Sequence, residues 1–501
     1  MASIFTQSIK TKFTDEFIND VANTSSNYYI CLGKTDPWDD EALPPIPDNS
    51  VTGSYYNVMR SILFGKKVSV SDFAYMAKNI SWTSGTVYDY YSDSDPYLYN
   101  KNFYVINMYG RVYKCLFNNY GAASTVLPNL YLSTGDFTTS DGYVWKYLFQ
   151  VTTKDQAKFS TSDFFPVMDD PSVSSHVEPG AIHVITVSSS ANGYLIANGS
   201  VVSFTSPSTV QIQNNNSIAM SGAYTNSSFY IISGTGAGTY AAVKDYVVNT
   251  SGKFVITDTT IAATLDATSK YIISPYVQIV GDGFGCEAIA KVNTYTSYID
   301  SIQVIQRGSN YTYATVNIAA NDVFITGITS ANAIISPPGG HGSNVIYELG
   351  CETTGLSVLV ANSDGFPPSI TYRQISLLHN PVASTNNAPY TLSTFSNLGR
   401  VAISSASGVF PQDEIVTGFV SGATGIVSTV SISSMILYGV NGTFIPGETV
   451  AGTYTGYTAV IGNITPSDLV INTGDIYYYR NFIAATRDPA SSEQIKLFFK
   501  V

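Results

Sequence analysis

Hydrophobic positions recur at two periods along this chain, and the period changes early. In "KFTDEFINDV" (12–21) the apolar spacing is helical: Thr14 is placed to cap a helix, Asp15 and Glu16 fall in its first turn, and Phe13 is placed to staple onto Ile18. A second helix is predicted over 55–64, with Val58, Met59, Ile62 and Leu63 on one face and Gly65 as its stop. Between them "NYYICLG" reads as a strand, and "KTDPWDDEALPPIPDNS" (34–50) reads as an extended loop anchored by Trp38.

Strand patterns then dominate. "FYVINMYGRVYKCLF" (103–117) is two β-rich runs meeting at Tyr109-Gly110, a hairpin pattern, and "DGYVWKYLFQV" (141–151) is an aromatic strand entered through an Asp-Gly turn. From 181 to 365 short strands alternate with Ser, Thr, Asn and Gly clusters. There "IHVITVSSSANGY" (182–194) is echoed by "IDSIQVIQRGSNY" (299–311), matching Ile182 to Ile299, Val187 to Val304 and Tyr194 to Tyr311, all 117 apart. A tighter repeat lies at 408–461, where Phe410 matches Phe444, Glu414 matches Glu448, Val416 matches Val450, Gly418 matches Gly452 and Gly422 matches Gly456, each 34 apart. Two copies of strand-patterned sequence predict a small two-fold β module rather than a solenoid.

Long mixed strands return in "SITYRQISLLHNPV" (369–382) and "EQIKLFFKV" (493–501). The expected fold is therefore mainly β and multi-domain, a discontinuous β-rich base domain with a few short helices and two inserted all-β modules. The base is assigned to 1–180, 366–400 and 466–501, the first inserted domain to 181–365, and the two-fold module to 401–465.

Composition narrows the function classes. Charged residues are only 12% of the 501, about half the usual ~25%, while Tyr alone contributes 37. Surfaces so poor in charge are cheap to desolvate, which suits permanent protein–protein contact. The net charge of −12, with Lys66-Lys67 as the longest basic cluster, speaks against nucleic acid as a partner. Cys31, Cys115, Cys286 and Cys351 are too dispersed for a disulfide framework or zinc site and are expected to be reduced. The N-terminal segment lacks the apolar run of a signal peptide, and no stretch approaches the ~18 apolar residues of a membrane span, so synthesis in a cytoplasm, with the chain soluble until it meets its partners, is expected.

Candidate chemistry is sparse. His176, His183, His341 and His379 stand in no metal-ligand spacing. The strongest enzymatic candidate is "SPPGGHGSN" (336–344), where His341 lies two residues before Ser343. No GxSxG accompanies it, and that spacing places an imidazole poorly on its neighbour's hydroxyl. The favoured reading is a backbone device, with prolines stiffening the approach and glycines supplying positive φ. "GDGFG" (281–285) is read as a β-turn, since a strand rather than a helix follows and Asp282 alone cannot hold calcium. No catalytic, cofactor-binding or metal residue is assigned.

"YICLGKTDPW" (29–38), "PPIPDNSV" (44–51), "VYKCL" (112–116), "DGYVWKYLFQ" (141–150), "YRQISLLHNPV" (372–382) and "IKLFF" (495–499) occur in an order that resembles the T4-type bacteriophage baseplate wedge proteins, the gene 8 product family. The resemblance covers the N-terminal third, the stretch near 370–385 and the C-terminus, and leaves out 181–335 and 400–465. It implies a non-enzymatic, mainly β virion protein of the contractile-tail baseplate. Such a protein forms a homodimer within each wedge, contacts other wedge subunits, needs no cofactor and touches neither membrane nor nucleic acid. Tyr113, Tyr143, Trp145, Tyr147 and Tyr372 are candidates for such contacts, with ordinary core packing the favoured reading for each. The rival expectation is a receptor-binding, adhesin-like tail protein whose inserted modules hold a cell-surface glycan, for instance on Tyr454 and Tyr457.

Overall fold

The computed structural model describes residues 5–48, 53–213, 217–366, 370–488 and 492–500, so Asn49 and Ser50 of the predicted loop, and Ser369 and Val501 at the ends of predicted strands, lie outside the described residues. The chain is mainly β. It divides into two compact units, one of Met1–Ala77, Lys154–Pro166 and Cys351–Val501, the other of Lys78–Thr153 and Val167–Gly350. Segment 78–153, assigned to the base by its long aromatic strands, thus groups with 167–350. Partners remote in sequence decide this, as when Lys114 pairs with Glu348 and Asp136 with Arg307.

In the first unit, the helix Gln7–Ala22 starts two turns before the expected cap, with Thr6 accepting from the Ile9 amide at 3.4 Å. Thr14 lies buried within it and donates its hydroxyl back to the Lys10 carbonyl at 3.4 Å. The buried stripe of Thr11, Thr14, Ile18 and Val21 has helical spacing, but two of its members are threonines, which an apolar count passes over. Phe13 is 40% exposed and meets Phe5 at 5.8 Å rather than stapling to Ile18.

The second helix, Gly53–Ser61, ends before Ile62, where the strand Ile62–Val68 begins. Gly65 is no helix stop. It sits mid-strand, where an added Cβ would lie 2.1 Å from the Phe395 ring on the adjoining strand. A five-stranded antiparallel sheet runs in the order Thr394–Ser396, Ile62–Val68, Tyr28–Gly33, Thr371–His379, Asp475–Thr486, and a four-stranded sheet in the order Glu493–Phe499, Thr353–Val360, Phe73–Lys78, Phe164–Pro166. Phe17, Leu63, Phe73, Leu356, Leu377 and Leu497 share one core. Trp38 is pinned to this unit through its indole N–H, 3.0 Å from the Phe482 carbonyl.

The 34-residue repeat closes into a six-stranded antiparallel barrel. In chain order its strands are Gly399–Ser404, Ile415–Gly418, Thr424–Val430, Ser434–Asn441, Thr449–Gly452 and Thr458–Thr465, and around the barrel they run first, fourth, third, second, fifth, sixth. Val401 lies opposite Met435 and Thr417 opposite Ala451, so at both points a residue pairs with its own equivalent 34 residues on. A pseudo-two-fold axis passes through both pairs. Hydrogen bonds are exchanged across it: the Phe419 amide donates to the Thr449 carbonyl at 3.0 Å and the Thr453 amide to the Ile415 carbonyl at 2.8 Å.

The repeated glutamates explain the repeated glycines. Glu448 accepts from the Val420 and Ser421 amides at 3.0 and 2.9 Å, and Glu414 accepts from the Tyr454 and Thr455 amides at 3.0 and 2.7 Å. Each carboxylate therefore clamps a turn of the other repeat. A Cβ on Gly418 would lie 2.7 Å from Glu448 Oε2, and one on Gly452 2.4 Å from Glu414 Oε1.

In the second unit, Tyr104–Ile106 and Arg111–Asn118 form the expected hairpin, with Gly110 at φ 75°, inside a sheet completed by Tyr143–Gln150 and Phe137–Thr138. The rest is an eleven-stranded sheet that curls twice. Ala197–Ser206, Thr209–Ile212, Ser227–Ser233, Tyr240–Asn249, Gly252–Thr257 and the first half of Lys270–Gly281 close into a second six-stranded barrel. The second half of Lys270–Gly281 continues into a half-barrel with Phe284–Val292, Ile299–Ser309, Ala314–Ala319, Ser330–Ile335 and Ile182–Ser189. Here Ile185 lies opposite Ile302, its equivalent 117 residues on.

The half-barrel has the same strand order as the 399–465 barrel, left open where Ala314–Ala319 and Ser330–Ile335 form no ladder. The barrel inserted into it has that order as well, once counting starts one strand later, as a circular permutation would give. One six-strand topology therefore occurs three times among the described residues.

Replacing Glu414 with Ala leaves the Tyr454 and Thr455 amides unsatisfied, a cost of about 1–3 kcal/mol. Amide exchange at 454–455 is expected to accelerate roughly 10- to 100-fold, and Glu448→Ala to do the same at 420–421, as read by hydrogen–deuterium exchange. Burial pushes the Glu448 carboxyl up, but the Ile445 and Ser421 amides outweigh it and hold the group below its ordinary 4.5. The clamp's stabilisation is therefore complete above that pH and lost as pH falls through the lower folded value.

Candidate functional site

The loop that carries His341 is built from left-handed glycines. Gly339, Gly340 and Gly342 have φ of 85°, 95° and 89°, and a Cβ on Gly342 would lie 2.5 Å from Val173. The turn directs the Gly342 amide at Glu348 Oε1, 2.6 Å away. His341 is 3% exposed, with its ring 4.9 Å from both Tyr91 and His183. Its Nδ1 makes no hydrogen bond and stands 3.9 Å from Glu348 Oε2. Ser343 forms no hydrogen bond with it among the described residues, and the Ser343 amide closes a turn onto the Gly340 carbonyl at 3.2 Å. The nucleophile–base geometry of a serine hydrolase is not formed at this loop.

Around His341 lies an ionic cluster, buried at Lys114 and Glu348 and opening to solvent at Arg307 and Glu178, that the sequence reading did not assemble. Lys114 and Glu348 form a fully buried ion pair, with the ammonium also 4.8 Å from the centre of the Tyr91 ring. Burial lowers the Lys114 pKa, and the Glu348 carboxylate opposes the shift. Arg307 bridges Asp136 and Glu178, the latter at 3.1 Å, and His183 Nδ1 is 3.5 Å from Asp136 Oδ2. Burial pushes Asp136 up, but His183 and Arg307 together bring it below the usual carboxylate range. His341 is held well below 6.5 by burial first and by the Lys114 charge next, so it is neutral in the folded chain.

The other sequence candidates disperse. Asp282 accepts from the Thr312 amide and hydroxyl at 2.8 and 2.5 Å and from the Tyr313 amide at 3.2 Å, which draws its pKa down to about 2 and ties the 281–285 turn to the connection between Ile299–Ser309 and Ala314–Ala319. His379 stacks on Tyr28 at 4.4 Å, and His176 Nδ1 lies 2.8 Å from the Ser172 carbonyl. Tyr113, Tyr143, Trp145, Tyr147 and Tyr372 are all buried, in agreement with the core reading. The four cysteines are free, and three of them are buried. Among the described residues no cluster of three or more His, Cys, Asp or Glu side chains could hold a metal, and no helix is long and apolar enough to cross a membrane.

Aromatic and aliphatic side chains are among those left open to solvent. At the clamped turns of the 399–465 barrel, Phe419, Val420 and Tyr454 are 67%, 73% and 78% exposed. The Val420 and Tyr454 amides are the ones held by the exchanged carboxylates, so these side chains are displayed on a fixed backbone. In the second unit Tyr120 is 54% exposed at φ 55°, directly after Asn119 at φ 49°. Two successive non-glycine residues in the left-handed region cost on the order of 1–2 kcal/mol each. No sequence signal announced Tyr120, because neither residue is a glycine.

Removing one partner of the buried ion pair should be costly. Lys114→Met is expected to destabilise the second unit by about 3–5 kcal/mol, and the double variant with Glu348→Leu to recover only part of that, since the Gly342 amide then loses its acceptor, as read by urea unfolding. Because the folded-state pKa of His341 is depressed, the unfolded chain takes up more protons below pH 6.5. Stability of this unit should fall as pH drops below that value, and His341→Phe should flatten the slope. The protein matches no known family model and no curated protein.

Proposed function

We propose that the chain is a structural subunit of a contractile-tail baseplate wedge in a bacteriophage, acting by assembly with other wedge subunits and as a homodimer, without turnover of a substrate. The observation that carries this reading is the display of Phe419, Val420 and Tyr454 on rigid turns of a closed barrel. Large side chains held exposed on an immobilised backbone lose little entropy on docking and bury much area. Low charge density supports the same reading, since only 12% of residues must be desolvated as charges or left at a rim. The motifs of the first, 370–385 and C-terminal segments add the resemblance to wedge proteins.

The test is incorporation into particles. Phage carrying the triple variant Phe419→Ser, Val420→Ser and Tyr454→Ser should yield tail intermediates lacking this chain or its neighbours, while the purified variant keeps the far-UV circular dichroism of the parent. Normal particles with the variant at full occupancy would exclude this surface as an assembly contact. Purified tails from which the wild-type chain is missing would exclude the reading altogether.

A further inference from the structure

Lys114 and Glu348 meet inside the second unit with their side chains 0% and 4% exposed, and the groups around them do not match what an ion pair needs. An ammonium carries three N–H donors. Among the described residues Lys114 Nζ has a single hydrogen-bond acceptor, Glu348 Oε2, and its other polar neighbour is the face of the Tyr91 ring. Arg487, just as deeply buried, is by contrast served on all sides, by the Glu493 carboxylate, the Phe366 carbonyl and the Asn362 side chain. An amide nitrogen would carry one N–H, for which a ring face suffices.

The two carboxylate oxygens of Glu348 are held differently. Oε1 accepts from the Gly342 amide at 2.6 Å, delivered by the left-handed glycines of the loop. Oε2 faces the lysine, and His341 Nδ1 stands 3.9 Å from it with no hydrogen bond of its own. One oxygen is thus polarised by a backbone donor, as in an oxyanion hole, while the other has a nitrogen nucleophile and an unpartnered imidazole beside it. A nucleophile, an oxyanion donor and a proton carrier are the parts that acyl transfer requires.

The surroundings favour the reaction as well as the geometry. Burial lowers the Lys114 pKa, so a proton passes readily from the ammonium to the carboxylate and leaves an amine beside an acid. In water the amide formed from such a pair hydrolyses because its ionised products are strongly solvated. That solvation is missing in this interior, which shifts the balance toward the amide and a released water.

We propose that Lys114 and Glu348 condense after folding into an intramolecular isopeptide bond. Nζ attacks Cδ, the Gly342 amide holds the charge that develops on Oε1, and His341 carries the proton lost by the nitrogen to Oε2. The Cδ–Oε2 bond breaks, the new Nζ–Cδ bond stays, and one water leaves; nothing is oxidised or reduced. The 3.9 Å gap to the imidazole closes as the carbon turns tetrahedral, as catalytic contacts commonly tighten toward the transition state. The bond joins residues 234 apart and encloses both the half-barrel and the barrel inserted in it. It constrains the unfolded chain as a disulfide would, in a protein whose four cysteines are free. The inference does not rest on the assembly reading, since it needs only the folded chain.

The test is intact mass spectrometry of the purified full chain under denaturing, reducing conditions, followed by tryptic mapping. Expected are a mass below that of the sequence by one water and a branched peptide joining 112–146 to 308–373, uncut after Lys114. This reading needs no variant. Lys114→Arg should restore the full mass. His341→Phe keeps both reacting groups and should form the bond roughly 100-fold more slowly, read as mass against time after cell-free synthesis. Exchange protection of Arg111–Asn118 checks that this variant folds. The proposal is overturned if the folded parent keeps its full mass or if the deficit persists in Lys114→Arg. It is equally overturned if the missing water maps to a succinimide at Asp141-Gly142, Asp282-Gly283 or Asp364-Gly365, or if folded His341→Phe forms the bond as fast as the parent.

Discussion

A β-strand exposes backbone donors and acceptors along both edges, and a chain rich in short strands must find partners for every one of them or present adhesive edges to its neighbours. Here the same order of six strands answers that demand twice as a closed ring and once as a ring open at a single seam. Closure sets much else. It forces inward and outward positions to alternate, and it brings residues from both repeats onto the axis as self-pairs, Val401 with Met435 and Thr417 with Ala451. It also leaves the loops, rather than strand edges, as the open surface of each closed ring.

Closure in turn depends on the turns. In the 399–465 barrel each turn is secured by a carboxylate from the opposite repeat, so neither half can form its turn without the other. A glycine faces each carboxylate because no side chain fits there. The second unit solves a related problem differently. The His341 loop delivers the Gly342 amide to Glu348, whose other oxygen meets Lys114 on a strand far away in sequence. A charge that would be ruinous alone becomes a fastener when its partner and an amide arrive together.

These two devices differ in how legible they were. The 34-residue repeat could be read because its turns demand Glu and Gly at fixed positions, and two copies print the demand twice. The 117-residue echo showed because Ile182, Tyr194 and their equivalents serve the same places in a half-barrel. The barrel inserted within that half-barrel left no comparable repeat, since its symmetry lies in strand order rather than in residue identity. The helix start was missed because Thr11 and Thr14 are buried as though apolar. Gly65 misled because a glycine that ends a helix and one that makes room for an aromatic ring look alike until Phe395 is placed beside it. The cleft of the second unit lined by Tyr120, Asp136, His183, Lys291 and Arg307 was invisible for a simpler reason: these residues come from five separate stretches, and no local pattern joins them.

Two of the surfaces left open among the described residues differ in how their aromatic groups are held. The clamped turns offer large apolar groups on a backbone that cannot yield, the arrangement that favours a permanent, dry contact. The cleft beside Tyr120 offers a strained aromatic, an exposed ammonium and an ion-paired cluster next to an apolar lining of Phe117, Phe137, Val144 and Ile302. An assembly contact has no need of strain at Tyr120, because strain stabilises nothing by itself and persists only where the fold over-determines it. In this chain Asn118 accepts from the Gly121 amide at 3.1 Å and Asn119 donates to the Asp141 carbonyl at 3.1 Å, so both flanks of Tyr120 are fixed while its ring stays partly open. That combination leaves an aromatic ring open at a fixed place in the second unit, as the exchanged carboxylates do for Val420 and Tyr454 in the first.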